Sequence, residues 1–351
     1  MRFIRLENCK DGMIVGKHIY GQNGVMLLKL GTAIKQSHID ALQRLGYPGV
    51  YIDDHISKGI DIPELVNPLT QNRARQVVKN IFTDSKLVRS SNVAALFKEI
   101  EGLITDIIEQ ILSSKTMVAS ATSLKSFDNY TYQHCVDVGI ISILIGREFK
   151  MTRSQLEFLG KAAFFHDIGK MFISKNILNK PSALTEEEFK EIKKHPQLGY
   201  YCLETVLKQP KELCNCVLYH HERYEGGGYP DGLVGDDIPL MSRIIAVADV
   251  YDAITSKRVY KDAIYAAEAY EYIMGNSNTH FDPEVVAAFL RKIPPFPIGT
   301  EVTLSDGRRA LVVENRPSFM TRPLVKLLHK NDEFLDLTDD RSARSITIVG
   351  A

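Results

Sequence analysis

The sequence predicts a mainly α-helical protein: a helical central domain, with a small α+β module before it and a small β-rich module after it. Three observations carry this reading. Glycines punctuate the first sixty or so residues, apolar residues then recur at helical spacing, and the break Ile293-Pro-Pro-Phe-Pro-Ile-Gly299 precedes short apolar runs separated by turns. The segments read as 1–62, 63–114, 115–293 and 294–351.

In the first segment, strand-like runs at Met13–Ile19 and Val25–Leu30 precede a short helix at Ser37–Leu45, where Ile39, Leu42 and Leu45 share a face. A strand at Val50–Ile52 closes the module. Pro63 and Pro68 mark the next boundary. Beyond them Val77, Val78, Ile81 and Phe82 suggest one helix; Leu96, Ile100, Leu103, Ile104, Ile107, Ile108 and Ile111 suggest a longer one. That second stripe is wide for a lone surface helix. It serves either to pack onto the central domain or to join two copies through residues 93–112. After the proline break, Glu301–Leu304, Ala310–Val313, Leu324–Leu328 and Ile346–Val349 read as strands.

Composition narrows the function. With 43 basic and 43 acidic residues the formal charge is zero, which argues against broad binding to DNA or RNA or to an anionic membrane. A local basic pocket for one phosphorylated ligand remains compatible with it. The longest apolar run, Val138 to Ile145, is far short of the ~20 residues a spanning helix needs. Charged residues break up the N-terminus, so no signal peptide is evident. The five cysteines, Cys9, Cys135, Cys202, Cys214 and Cys216, are odd in number and form no Cys-x-x-Cys pair, as expected of a reducing cytoplasm.

The chemistry lies in the central segment, where five of the ten histidines fall within about ninety residues, interleaved with carboxylates. His134 shares a helical face with Val138, Ile141 and Ile145, a pattern that suits a buried core histidine as well as a ligand. His166 and Asp167 end another apolar helix, and Gly169 reads as its stop. Side chains adjacent on a helix diverge by about 100°. The pair therefore reaches one ion lying between them, or the carboxylate bridges two. His195 precedes Pro196. His220-His221 follows the apolar stretch Leu213–Leu218 and runs into Gly226-Gly227-Gly228-Tyr229-Pro230. There the glycines permit positive φ and close approach to a ligand, and Tyr229 offers a ring for stacking on a purine. Asp249 and Asp252 share one face of an otherwise apolar helix. Burial of Asp249 is costly without a partner, which metal ligation would supply, and Asp252 reads as orienting a ligand histidine or a basic residue. Imidazole and carboxylate without thiolate are the ligands of iron, manganese or zinc hydrolase sites.

These motifs resemble the HD-GYP family of HD-domain phosphohydrolases across roughly residues 125 to 275. They comprise His166-Asp167-Ile-Gly-Lys170, His195-Pro196, His220-His221-Glu222-Arg223, the Gly-Gly-Gly-Tyr-Pro run and Ala248-Asp-Val-Tyr-Asp252-Ala-Ile-Thr. The resemblance implies a helical HD-GYP catalytic domain that hydrolyses cyclic di-GMP to linear pGpG, or on to GMP, at two divalent ions, iron or manganese. It implies one ion held by His134, His166, Asp167 and Asp249. Asp167 would bridge to a second ion held by His195, His220 and His221. Asp167 and Lys170 would be catalytic, and Lys170, Gly228, Tyr229, Asp252, Arg258 and Lys261 would serve the substrate. Two departures stand out: Tyr130 occupies the place of the glutamate used by members with a third metal, and Arg258-Val259-Tyr260 replaces Arg-Pro-Tyr. The rival functions are a cyclic-dinucleotide receptor without turnover and a phosphodiesterase for the mixed cyclic GMP-AMP dinucleotide.

Overall fold

The computed structural model describes residues 1–21, 25–83, 93–114, 130–256, 265–328 and 333–350. The chain begins with β1 (Arg2–Arg5), β2 (Ile14–Val15), β3 (Ile19–Tyr20), β4 (Met26–Leu28), α1 (Gln36–Arg44) and β5 (Gly49–Asp53). The helical body follows: α2 (Pro68–Thr83), α3 (Val93–Ser113), α4 (Tyr130–Glu148), α5 (Arg153–Phe165), α6 (Lys175–Leu178), α7 (Glu186–Ile192), α8 (His195–Tyr201), α9 (Lys211–Leu218), α10 (Leu240–Thr255), α11 (Ala266–Gly275) and α12 (Pro283–Leu290). Last come β6 (Glu301–Leu304), β7 (Arg309–Glu314), β8 (Leu324–Leu327), β9 (Phe334–Asp336) and β10 (Ile348–Gly350). The protein is therefore mainly α with small sheets at either end, as expected.

Local differences from the sequence reading have physical causes. The run Met13–Ile19 is not one strand. β2 joins the sheet β1-β5-β2, whereas β3 pairs with β4 in a separate ribbon. Gly16 makes the break: a Cβ there would stand 3.0–3.2 Å from Met1 and from the backbone of Ile52 and Asp53. β1 escaped the sequence reading because Arg2 and Arg5 flank only two apolar residues. It is fixed in antiparallel register, with Phe3 opposite Tyr51. β9 was missed for a similar reason, being three residues long; it closes the edge of the sheet β10-β6-β7-β8-β9. The two end modules meet each other: the Phe3 N–H donates to the Gly299 carbonyl at 3.0 Å, and Arg2 bridges Asp54 and Glu301 at 2.9 Å each.

One continuous apolar core runs from Val66 to Ile293, and the α3 stripe belongs to it. Ile100, Ile104, Ile107, Ile108 and Ile111 are sealed within the chain, and Phe97 stacks on Phe165 with ring centroids 4.5 Å apart. Any association of two copies through α3 would have to use its other face. Among the described residues, no helix is long and apolar enough to cross a membrane.

Candidate metal centre

Separate elements deliver the histidines and aspartates to one pocket. His134 lies one turn into α4, on the buried stripe with Val138 and Ile145. Thr152 and Gln155 cap the start of α5, which carries the chain to His166. Asp167 follows and leads into a tight 3-10 turn, Ile168–Phe172. Gly169 is not the left-handed stop that the sequence suggested: its φ is not positive, and a Cβ there would overlap the carbonyl oxygen of His195 and come within 2.6 Å of Gly199 N. It lets the Asp167 turn lie flat against α8, whose first residue is His195. His220 and His221 occupy the turn after α9, and Asp249 lies on α10.

Asp167 faces both halves of the pocket. Its Oδ2 is 3.4 Å from His166 Nε2 and 3.9 Å from His134 Nε2; its Oδ1 is 3.3 Å from His195 Nε2. Asp249 Oδ1 is 3.0 Å from His134 Nε2 and 3.9 Å from His166 Nε2, and its Oδ2 is 4.0 Å from His221 Nδ1. Ligand atoms converge to within 4.8 Å of one another in three overlapping sets: His134, His166 and Asp167; His166, His220 and Asp249; His195, His220 and His221.

The backbone decides which ring nitrogens carry hydrogen. Nδ1 of His166, His195 and His220 lies 2.8, 2.8 and 2.6 Å from the carbonyls of Ala163, Ile192 and Val217. A carbonyl can only accept, so each Nδ1 must donate, leaving Nε2 as a lone pair when the ring is neutral. Those lone pairs point at one another: His195 Nε2 and His220 Nε2 are 3.4 Å apart. His166 Nε2 and Asp167 Oδ1 are fully buried and make no hydrogen bond. Bare imidazole nitrogens crowded around two carboxylates are mutually repulsive, and a cation is the group that satisfies them. The donor set therefore fits divalent metal.

Electrostatics agree. Burial, then the positive charge of Lys170, pushes His195 down to about 4. Burial, then His166 and His195, pushes His220 to about 3, and burial with His220 takes His221 well below its usual value. At His134 burial acts in the same direction, but Asp249 and Asp252 outweigh it and hold the ring at about 9. Asp167 resists the upward pull of burial because Lys170 and neighbouring histidines hold it well below the carboxylate range.

This sets the acid limit of the metal-free protein. His195 and His220 are neutral when folded, but take up protons near the ordinary value of 6.5 once unfolded. The unfolded chain then binds more protons, so stability falls as pH drops from about 6.5 towards 4, by about 3 kcal/mol per group. Asp167 stays ionised throughout this window and does not contribute. Thermal unfolding of chelator-treated protein between pH 7 and pH 4.5 should show a steady fall in Tm. A Tm independent of pH would show that these rings are not held neutral.

The likeness to known proteins agrees with the pocket. A family model described as the HD domain matches residues 106–285, half of the chain. The cyclic di-GMP phosphodiesterase PA4108 of Pseudomonas aeruginosa is 33% identical over 339 residues, covering 88% of this chain and 79% of its own length. The chain belongs to the HD domain family, in its HD-GYP branch. A second relative, the cyclic di-GMP phosphodiesterase response regulator RpfG of Xanthomonas campestris, is 34% identical over 65% of this chain and 60% of its own. Among solved structures, Bd1817, an HDG"Y"P protein from Bdellovibrio bacteriovorus, matches with a TM-score of 0.51 over 82% of this chain and 97% of that one. At 15% identity this is a likeness of fold alone.

Of the remaining positions named by the resemblance, Asp252, Lys170 and Tyr229 each touch one of these donors. Asp252 Oδ2 lies 2.7 Å from His134 Nδ1, fixing the ring from behind. Lys170 Nζ donates to Asp167 Oδ2 at 2.5 Å. Tyr229 does not offer both faces to a ligand, because its ring is stacked on His221 at 4.8 Å and 28°. Of the three loop glycines, Gly226 and Gly227 have positive φ, but Gly228 does not. A Cβ on Gly228 would be 2.5 Å from Glu222 Cα and Arg223 N, so its role here is close packing of the loop. Arg258 and Lys261 lie outside the described residues, as does the side chain of Tyr130, whose backbone opens α4.

Two neighbours had no role in the sequence reading. Glu222 is buried, and its Oε1 accepts the N–H groups of Asp231 and Gly232 at 2.8 and 3.0 Å, pinning the loop that carries Tyr229. A carboxylate directly after the histidine pair was the available signal. Lys193, two residues before His195, places its ammonium 5.1 Å from the centre of the Tyr229 ring.

Proposed function

We propose that this chain opens cyclic di-GMP to linear 5′-phosphoguanylyl-guanosine at a bridged pair of divalent cations, iron or manganese. One observation carries the reading: Asp167 turns one oxygen towards His134 and His166 and the other towards His195. His134, His166 and Asp249 would complete one cation site, and His195, His220 and His221 the other. Bound there, the cations would supply Lewis acidity and lower the pKa of water towards neutrality.

The chain's own groups do the rest. The carbonyl ties on His166, His195 and His220, and Asp252 on His134, keep the rings from turning, so the pocket is preorganised before substrate arrives. Lys170, beside Asp167, would offset charge building on the non-bridging oxygens as the 3′ oxygen departs. Relatives named for cyclic di-GMP, such as PA4108, favour that substrate.

The mixed dinucleotide is the second reading. The 3'3'-cGAMP-specific phosphodiesterase 3 of Vibrio cholerae is 36% identical over 48% of this chain. The test offers both cyclic dinucleotides to iron-loaded and manganese-loaded protein, with chromatography of products and elemental analysis of the metal. Linear guanine dinucleotide as the main product, with about two ions per chain, is expected. Tight binding without any linear product under either metal would instead identify a receptor.

A further inference from the structure

We infer that Lys193 is a further substrate-binding residue, holding the phosphodiester of a cyclic dinucleotide that is not being cut. This rests on the reading of the site just proposed.

The backbone fixes Lys193 to the metal centre. It follows directly on α7, its N–H donates to the Phe189 carbonyl at 3.0 Å, and the carbonyl of Ile192 before it accepts from His195 Nδ1 at 2.8 Å. Its side chain is then steered across two rings. The ammonium lies 4.8 Å from the centre of Phe189 and 5.1 Å from that of Tyr229. Tyr229 in turn stacks on His221, so the charge stands one aromatic ring away from the pocket.

That charge is unspent. Lys170, Lys180 and Lys194 each meet a carboxylate at 2.5 Å, whereas among the described residues Lys193 has no carboxylate within ion-pair distance. Aromatic faces attract an ammonium through their quadrupole and carry no net charge, so they position the cation without neutralising it. A lysine held this way has already lost part of its rotamer freedom, and contact with an anion costs correspondingly less entropy.

The substrate supplies the anion. A cyclic dinucleotide carries two phosphodiesters, each with one negative charge at neutral pH. The diester under attack faces the metal set and Lys170, whose own partner is Asp167. The second diester, across the dinucleotide ring, needs a cation displaced from the centre, and Lys193 is placed to provide it.

The test compares two substrates in metal-loaded full-length protein: cyclic di-GMP, and bis(4-nitrophenyl) phosphate, which has a single diester and no second anionic group. Lys193→Ala should raise KM for cyclic di-GMP roughly tenfold, as expected for loss of one charge-assisted contact, with kcat within about twofold. Lys193→Glu should raise it further, Lys193→Arg should restore most of the affinity, and bis(4-nitrophenyl) phosphate turnover should not change. An unchanged KM in Lys193→Ala overturns the inference. So does an equal loss on both substrates, which would mark Lys193 as a prop for the Tyr229 loop. If the parent protein cleaves the nitrophenyl diester but no cyclic dinucleotide, the substrate reading fails first and the inference falls with it.

Discussion

Replacing Asp167 with alanine is expected to lower kcat/KM for a cyclic dinucleotide at least about a thousandfold, roughly 4 kcal/mol of transition-state stabilisation. Asp167 turns its two oxygens towards different groups of imidazoles, so its loss uncouples both halves of the pocket. The fold should tolerate the change. Lys170, about a quarter exposed, can turn its freed ammonium to water, and alanine leaves no new buried charge. Elemental analysis should find fewer metal ions per chain than in the parent. A variant that is loaded with metal and still opens the ring at the parent rate would remove Asp167 from the centre.

Gly169→Ala should be nearly as damaging to activity, although it adds only a methyl group. That methyl would overlap the carbonyl of His195 and press on Gly199 N, both of them backbone. Neither can turn away as a side-chain tip could, so the Asp167 turn and α8 must separate. A cost of about 3 kcal/mol in stability is expected, with a large loss of turnover as Asp167 and His195 part. The control is Gly102→Ala. Gly102 lies on the outer side of α3 with nothing within 4 Å of an added Cβ, and there the same substitution should stabilise by about 0.5–1 kcal/mol. Denaturant unfolding of the two variants should give opposite signs. A Gly169→Ala protein as stable and active as the parent would refute the packing argument.

The contrast between these glycines shows where the sequence was legible. The histidines and aspartates announced themselves by chemical type and motif order, and the fold brings all seven together because each falls at a helix end or on a buried helical face. Asp252 could be read as supporting a ligand because it shares a face of α10 with Asp249. What spacing could not reveal was which surfaces meet. Gly169 looked like a helix stop because a glycine after an apolar run usually is one; its actual neighbour, the His195 carbonyl, lies on another element. The partner of the Tyr229 ring was hidden for the same reason. Glu222 bonds to groups nine and ten residues further on, a reach that no local pattern encodes. In the end modules, β1 and β9 gave too few apolar alternations to be read, and a single glycine moved half of one run into a different sheet.

The stacking of Phe97 on Phe165 has a practical corollary for anyone trimming this protein. Phe165 immediately precedes His166, so α3 is the floor beneath a candidate metal-ligating imidazole rather than a tether leading to it. A shortened gene starting at residue 115, where the recognisable motifs are about to begin, would discard that floor and bare the apolar face of α5, Phe165 included, that α3 covers. The smallest excisable unit with its pocket intact starts ahead of Pro68.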